Sequence, residues 1–388
     1  MPLISVLVLD AAQRSALAVT RSLGQLPNVL ITTAERANKS LAGASRFSHE
    51  SLVYPCPQAQ PGEFVAWMSG LLSNRSFDWV FPVTEVTSQL LLMYQAQIPN
   101  LRLPFAPLET VMALADKGQL TERAQALGVP VPQSQWHANT DSLKADHLTY
   151  PVVVKPCLSK IYTQNHWLAT SVFVAQDAAA LTRELALRPY LAEHPFMVQE
   201  FIPGSGAGVF ALYNRGQPVA FFAHKRLREK PPEGGISVLS ESAAVTPTLE
   251  RYARTLLDAV NWHGVAMVEF RETPGGDFYL MEVNTRFWGS LQLAIDAGVD
   301  FPALLLRASQ GEALPPQAPY KIGQKLRWLL GDLDSLYIYL KRPYTFGAKL
   351  RRVIEFLSPS FSAQRYEINR WGDLAPAWRE LYQYFKQR

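Results

Sequence analysis

Three apolar runs in the first hundred residues, SVLVLD, NVLITTAE and FDWVFPVTE, end in polar or acidic residues and are separated by stretches with helical spacing. Short apolar runs bounded in this way read as strands buried on both faces. Alternating with helical stretches, they predict a parallel sheet with crossover helices. Ligands of such sheets sit beyond the carboxyl ends of the strands. That rule places Asp10, Thr33, Glu35, Thr84 and Glu85 near one rim. The segment after the first strand, DAAQRSALAV, contains no glycine. The dinucleotide fingerprint is therefore missing, which argues against an NAD-dependent dehydrogenase.

A chain of 388 residues predicts two to three domains, at about 100–200 residues each. With 48% apolar and 18% charged residues it has the composition of a globular protein. No stretch approaches the roughly 18 uninterrupted apolar residues of a membrane span. The start, MPLISVLVLD, has no basic leader, so it reads as a first strand and not as a signal peptide. Two cysteines, Cys56 and Cys157, make neither a disulfide framework nor a four-cysteine metal site, and a cytoplasmic location is expected. The net charge of +4 is too small to argue for a nucleic-acid partner. It is also unevenly placed: residues 321–352 carry eight Lys/Arg against Asp332 and Asp334, leaving the remainder at −2.

Pro99, Pro104 and Pro107 interrupt the periodicity and mark a boundary near 101–108. ADKGQLTERAQALGVPVP reads as one helix ending at Gly128, with Pro130 just past it. TYPVVVKP is a strand with a terminal Lys, and FMVQEFIPG a strand closing in a turn. GVFALYN and PVAFFAHKR form an antiparallel pair around Arg215-Gly216, and a helix follows over about 248–260. VAMVEF and DFYLMEVN form a second hairpin around Pro274-Gly275-Gly276. From Gln324 onward the chain is rich in Leu, Tyr, Trp, Lys and Arg and reads as mainly helical.

The segment MVEF…YLMEVNTRFWGS is the most informative. Glu269 is expected to end one strand, while Glu282 and Asn284, two apart on the next, share a face. Antiparallel pairing brings all three oxygen-bearing side chains together, a donor set suited to Mg²⁺. Arg286 lies on the same side if the strand continues, where it meets phosphate oxygens. An exposed sheet face with scattered charges is the plainer reading, and the apolar flanks oppose it. Lys155 ends the VVV strand and suits phosphate as a point charge, although for a single Lys a snorkelling strand-end residue is the commoner case. Lys117 is either a second such charge or an ordinary first-turn residue. Cys157 beside Lys155-Pro156 has no partner His placed by sequence and reads as structural. The histidines at 49, 137, 147, 166, 194 and 263 show no ligand spacing.

Taken in order, DKGQL…GVPVP, YPVVVKP, VQEFIPG, HKR…GG, VEF and LMEVNTR resemble the ATP-grasp superfamily of carboxylate–amine ligases, in particular its carbamoyl-phosphate-synthetase-like and D-aspartate-ligase-like members. The resemblance covers roughly residues 115–310. It implies a mixed α/β and α+β architecture: an α/β, Rossmann-like pre-ATP-grasp domain at 1–108, a two-lobed ATP-grasp core at 109–312 (small lobe about 109–200, large lobe about 201–312), and a basic, aromatic, mainly helical region at 313–388. It implies that Lys117 and Lys155 hold nucleotide phosphates and that Gln199, Glu200, Phe201 and Ile202 grasp adenine. Glu269, Glu282 and Asn284 become the ligands of Mg²⁺ or Mn²⁺. Arg286 becomes the arginine at the transferring phosphoryl group. Arg226 approaches substrate or phosphate, with Lys225 as second choice, and Gly235, Ser237, Gly289 and Ser290 surround the substrate. Two segments depart from the pattern. The flap PCLSKIYTQNHW has no glycine, leaving Lys160 to act by charge, and Ala207 stands near where a ribose-binding carboxylate is common.

The implied activity is an ATP- and Mg²⁺-dependent joining of a small-molecule carboxylate to an amine through an acylphosphate. A carboxylate kinase or carbamoyl-phosphate-type activity without amine coupling, and a nucleotide-binding scaffold without turnover, are the alternatives. A homodimer is the default expectation for such an enzyme. The basic C-terminal segment suits either a helical cap on the core or weak contact with an anionic membrane surface, and the cap is favoured.

Overall fold

In the computed structural model, residues 2–163, 165–358 and 364–386 are described. The first unit runs β1 (Ile4–Val8), α1 (Arg14–Gly24), β2 (Val29–Glu35), β3 (Glu50–Val53), α2 (Pro61–Asn74), β4 (Trp79–Phe81), α3 (Glu85–Met93). Its sheet has the order β3-β2-β1-β4 with every pair parallel, as the alternating pattern predicts. The expected rim is real. Asp10, just past β1, accepts from the backbone N–H groups of Val83 and Thr84 (3.0 Å each) and from Thr87 Oγ1 at 2.6 Å. Its carboxylate therefore fixes the turn from which α3 starts.

Next come α4 (Leu108–Ala115) and α5 (Lys117–Ala126), then β5 (Ser134–His137), β6 (Val152–Pro156), the hairpin β7 (Lys160–Tyr162) and β8 (Trp167–Ala169), β9 (Phe173–Ala175), α6 (Ala178–Ala186) and β10 (Phe196–Glu200). Strands β5-β10-β6-β9 make an antiparallel sheet. Gln164, within the glycine-free flap, lies outside the described residues. Asp116 caps α5 by accepting from the N–H groups of Gly118 and Gln119, so Lys117 occupies the first helical position.

A larger sheet follows. Its elements are β11 (Ser205–Asn214), β12 (Gln217–Lys230), β13 (Ile236–Ala243), α7 (Pro247–Asp258), β14 (Gly264–Glu272), β15 (Phe278–Asn284), α8 (Leu291–Ala297), α9 (Phe301–Ser309), β16 (Lys325–Arg327), α10 (Leu329–Lys341), α11 (Phe346–Leu357), β17 (Gln364–Tyr366) and α12 (Ala375–Lys386). The sheet order is β15-β14-β11-β12-β13-β16-β17. The tail is mainly helical, as expected, yet it also supplies two short strands, β16 and, at the sheet's edge, β17. Each has only three residues, too few to show a period of two.

The small sheet keeps a core of its own around Val154, Phe173, Leu181, Phe196 and Val198. The first unit and the large sheet share theirs: Phe64, Leu91, Phe105, Trp262 and Val268 belong to one buried cluster. Buried charges add a second tie. Arg21 on α1 donates from Nε to Asp373 (2.7 Å) and from its terminal nitrogens to the carbonyls of Glu367 and Ile368 (2.9 Å each). Asp373 also accepts from Ser45 and from the N–H of Arg46, and Arg14 pairs with Glu367. Among the described residues no helix is long and apolar enough to cross a membrane.

Removing one partner of a buried ion pair typically costs about 3–5 kcal/mol, because the other charge is left desolvated. Arg21→Ala is expected to lower unfolding stability by an amount of that order and to expose the segment around Asp373 to trypsin before the rest of the chain. Urea titration with timed proteolysis reads both effects; cleavage that begins in the first unit instead overturns this account of the tie.

Candidate functional site

The small and large sheets face each other across a cleft of about 620 Å³. Each wall is made by strand alternation. Lys155 reaches in from β6, Arg226 from β12, Glu269 from β14 and Glu282 from β15, while Lys117 enters from the start of α5. Gln199 and Glu200 end β10, and Phe201, Ile202 and Gly204 continue the same wall. Gly204 has φ +143°, and a Cβ there would lie 1.9 Å from the carbonyl oxygen of Glu272, so only glycine fits this approach.

Two carboxylates dominate the cleft. Glu269 and Glu282 are direct cross-strand partners on β14 and β15. Like charges directly opposite each other are destabilising on an open sheet, so their placement requires compensation. Asn284 Nδ2 donates to Glu269 Oε1 and to Glu282 Oε1, both at 3.1 Å. Arg226 donates to Glu269 Oε2 at 2.9 Å, and Lys117 Nζ lies 3.5 Å from Glu282 Oε2. Arg286 donates to Asn284 Oδ1 at 3.2 Å, closing the ring.

Burial, together with the charge of Glu282, raises the Glu269 pKa, and Arg226 opposes the rise. Glu282 is also raised by burial, but Lys117, Asn284 and Lys155 outweigh it and hold the group below the ordinary carboxylate range. Lys155, with Nζ 3.6 Å from Met281 Sδ, is pushed down to about 8 chiefly by burial. His224, behind Arg226, is pushed down to about 3 by burial and by that guanidinium, so it is neutral.

The donor set suits a hard divalent cation. One amide nitrogen sits within hydrogen-bond reach of both carboxylates, so a cation in that position meets two carboxylate oxygens at once. With the Asn284 side chain drawn back and its amide flipped, its oxygen would face such a cation as a third ligand, at the loss of its contact with Arg286. Among the described residues no cluster of three or more His, Cys, Asp or Glu offers an alternative metal centre.

The structure brings Lys117, Lys155, Gln199, Glu200, Phe201, Ile202, Arg226, Gly235, Glu269 and Glu282 to this one cleft. Asn284 and Arg286 line a narrower recess beside it, with Lys117 and Glu282 on the shared wall. Glu269 does not end its strand: β14 runs on to Glu272. Arg286 lies past the end of β15 and reaches Asn284 through its long side chain. Lys160, Lys225, Ser237, Gly289 and Ser290 are not among the residues lining either space. Lys225 alternates away from Arg226 and faces Glu241 across the sheet. Gly289 abuts Arg14 of the first unit. Glu200 accepts from the N–H of Gln133 at 2.9 Å, so one of its oxygens is already engaged.

Sequence reasoning missed several lining residues. Met281 and Glu282 are consecutive yet both face the cleft, because the register shifts between Glu269 and Phe270. A bulge of this kind breaks the period of two and leaves no sequence signal. Ser159 accepts from Lys117 Nζ at 2.8 Å. Glu85, placed at the rim by the strand-end rule, enters the recess from the first unit. Burial raises its pKa against the pull of Lys117 and Arg286.

A family model described as "ATP-grasp in the biosynthetic pathway with Ter operon" matches residues 192–330. No match is found among curated proteins. Among solved structures, an L-amino acid ligase from Bacillus licheniformis is similar at 17% identity and TM-score 0.62, covering 80% of this chain and 75% of its own. A biotin carboxylase from Campylobacter jejuni is similar at 17% identity and TM-score 0.63, over 83% and 74%. An N5-carboxyaminoimidazole synthetase from Staphylococcus aureus is similar at 13% identity and TM-score 0.62, over 84% and 82%. The chain has the ATP-grasp fold, and the family match spans the strands that carry Arg226, Glu269 and Glu282.

Proposed function

We propose that this protein is an ATP- and Mg²⁺-dependent ligase that activates a carboxylate as its acylphosphate and couples it to an amine. The observation that carries the reading is the facing pair Glu269–Glu282, bridged by Asn284 and ringed by Lys117, Lys155, Arg226 and Arg286 in one recessed site. Two opposed, partly buried carboxylates are costly without a cation between them, and phosphoryl transfer needs such charge compensation and alignment more than a covalent nucleophile. In this reading residues 1–108 form a pre-ATP-grasp domain, 109–312 the two-lobed core and 313–388 a cap.

The residues divide the work. Phe201, Ile202 and the backbone beside them receive adenine against the apolar side chains of Val153, Phe270 and Met281, which share the cleft. Lys117 and Lys155 neutralise phosphate oxygens. Glu269, Glu282 and Asn284 hold Mg²⁺, which supplies charge neutralisation at the phosphates when bound. Arg286 and Arg226 face the transferring group. A substrate carboxylate oxygen bonds to the γ-phosphorus as the bond to the β-phosphate oxygen breaks, giving ADP and an acylphosphate. The amine nitrogen then bonds to the acyl carbon, inorganic phosphate leaves, and the nitrogen gives up a proton. Closing the small sheet over the cleft keeps water from the acylphosphate.

Thermal unfolding with and without MgATP tests the site directly, since a ligand that binds only the folded chain raises the midpoint by mass action. Glu282→Gln is expected to abolish the Mg²⁺-dependent rise. It should also lower ADP release by ~100-fold or more, because even outer-shell partners of a metal cost about 10–100-fold. Screening small carboxylates with and without amines then separates the activities. ADP released only with both supports the ligase; ADP released with carboxylate alone supports a kinase; no release with intact MgATP binding leaves a scaffold.

The depressed Lys155 pKa adds a pH test. Its ammonium is the useful form, and burial brings its pKa to about 8 in the unliganded protein. Apparent MgATP affinity is therefore expected to fall above about pH 8, approaching tenfold per unit, the limit for a single required proton. Lys155→Arg keeps the charge at all these values and should remove the fall. An unchanged profile in that variant assigns the limb to another group.

A further inference from the structure

A second cavity, of about 560 Å³, lies between the end of β12 and helices α10 and α11. It borders the cleft, for Glu229 lines both spaces. Arg228, Arg351, Arg352, Tyr339 and Gly347 line it as well. Behind it three guanidiniums share one carboxylate. The fully buried Asp332 takes Arg228 at 2.5 Å, Arg327 at 2.7 Å and Arg352 at 2.8 Å. This cluster carries two positive charges in excess. Burial lowers the Arg228 pKa, the other two guanidiniums push it the same way, and Asp332 only partly opposes them.

The hydrogen bonds are incomplete too. Among the described residues Nη1 of Arg352 and Nε of Arg228 are buried without an acceptor, although Arg352 is only 7% exposed. Buried donors without partners are rare and costly, most of all charged ones. The two acidic residues on the wall do not fill the need. Glu355 is held by Arg351 at 2.9 Å and Glu229 by Arg226 at 3.4 Å. The first turn of α11, a twelve-residue helix, adds the positive end of its dipole at Gly347.

We infer that this cavity is an anion-binding site for a phosphate or carboxylate group, held by Arg228 and Arg352, with the exposed Arg351 turning from Glu355 to the anion at the mouth. It deepens the ligase reading and rests on it in one respect: because the cavity adjoins the cleft at Glu229, the anion is either the distal group of a substrate whose other end is activated there, or a free anion acting as an effector. Both sources share the same recognition chemistry.

Thermal unfolding midpoints measured against inorganic phosphate at fixed ionic strength, with and without saturating MgADP, test the site. The key variant is Gly347→Glu. A Cβ at Gly347 meets nothing within 4 Å, so the substitution folds, and it brings a carboxylate to the cavity wall. Acidic residues in a first helical turn are favourable, so the variant should be no less stable without phosphate. Wild type is expected to show a saturable rise that persists with MgADP. Gly347→Glu should weaken it by roughly tenfold or more through like-charge repulsion, as should Arg351→Gln. A rise equal in all three chains, or none in wild type that still responds to MgADP, overturns the site. If MgADP has no effect, the nucleotide reading fails while the phosphate titration alone still reads the cavity. Comparing ADP release with O-phosphoserine and with serine separates the sources. Preference for the phosphorylated compound, lost in Gly347→Glu, marks a substrate tail; a phosphate response without such preference marks an effector.

Discussion

The site depends on one unfavourable contact, two glutamates placed directly across an antiparallel pair inside a cleft. Neighbouring strands lie close enough that carboxylates in this position repel strongly once water is removed. Everything around the pair answers that repulsion. An amide bridges the inner oxygens, a guanidinium takes one outer oxygen, and an ammonium approaches the other. The two groups also diverge electrostatically, Glu269 rising and Glu282 falling. Such a donor set suits a hard divalent cation.

The same logic of shared charge organises the region beside the cleft, which Glu229 joins to it. Asp332 of α10 collects three arginines from β12, β16 and α11, joining sheet and helices through one buried carboxylate. Arg21 does the reverse, one cation collecting carbonyls and a carboxylate from the last segment of the chain. In the first case the cations outnumber the anion, and the adjoining cavity offers room for another. In the second the guanidinium is satisfied, and the contact serves to hold the first and last parts of the chain together.

Much of this was legible in the residues. The apolar runs ending in Asp10, Glu35 and Glu85 indicated a parallel sheet and its polar rim, because burial on both faces leaves only strand ends free to be polar. VAMVEF and DFYLMEVN indicated a hairpin whose Glu282 and Asn284 share a face, because alternation is a local property of extended chain. Other features were hidden. The bulge that turns Met281 inward, the three-residue strands β16 and β17, and the approach of Glu85 to Lys117 and Arg286 have no repeating signature.

By itself, the sequence determined what depends on near neighbours: which segments are strands or helices, which side chains alternate to one face, and where a lysine or carboxylate interrupts an apolar run. Tertiary structure alone decided which of those charges meet. Arg226 and Glu269 are 43 residues apart, Arg228 and Asp332 are 104 apart, and Arg21 and Asp373 are 352 apart. Desolvation, and the shifted pKa values and unmet donors that follow from it, arises from atoms brought close by packing and not by chain order. That is why the carboxylate pair could be anticipated from its pattern, and the arginine-lined cavity beside it could not.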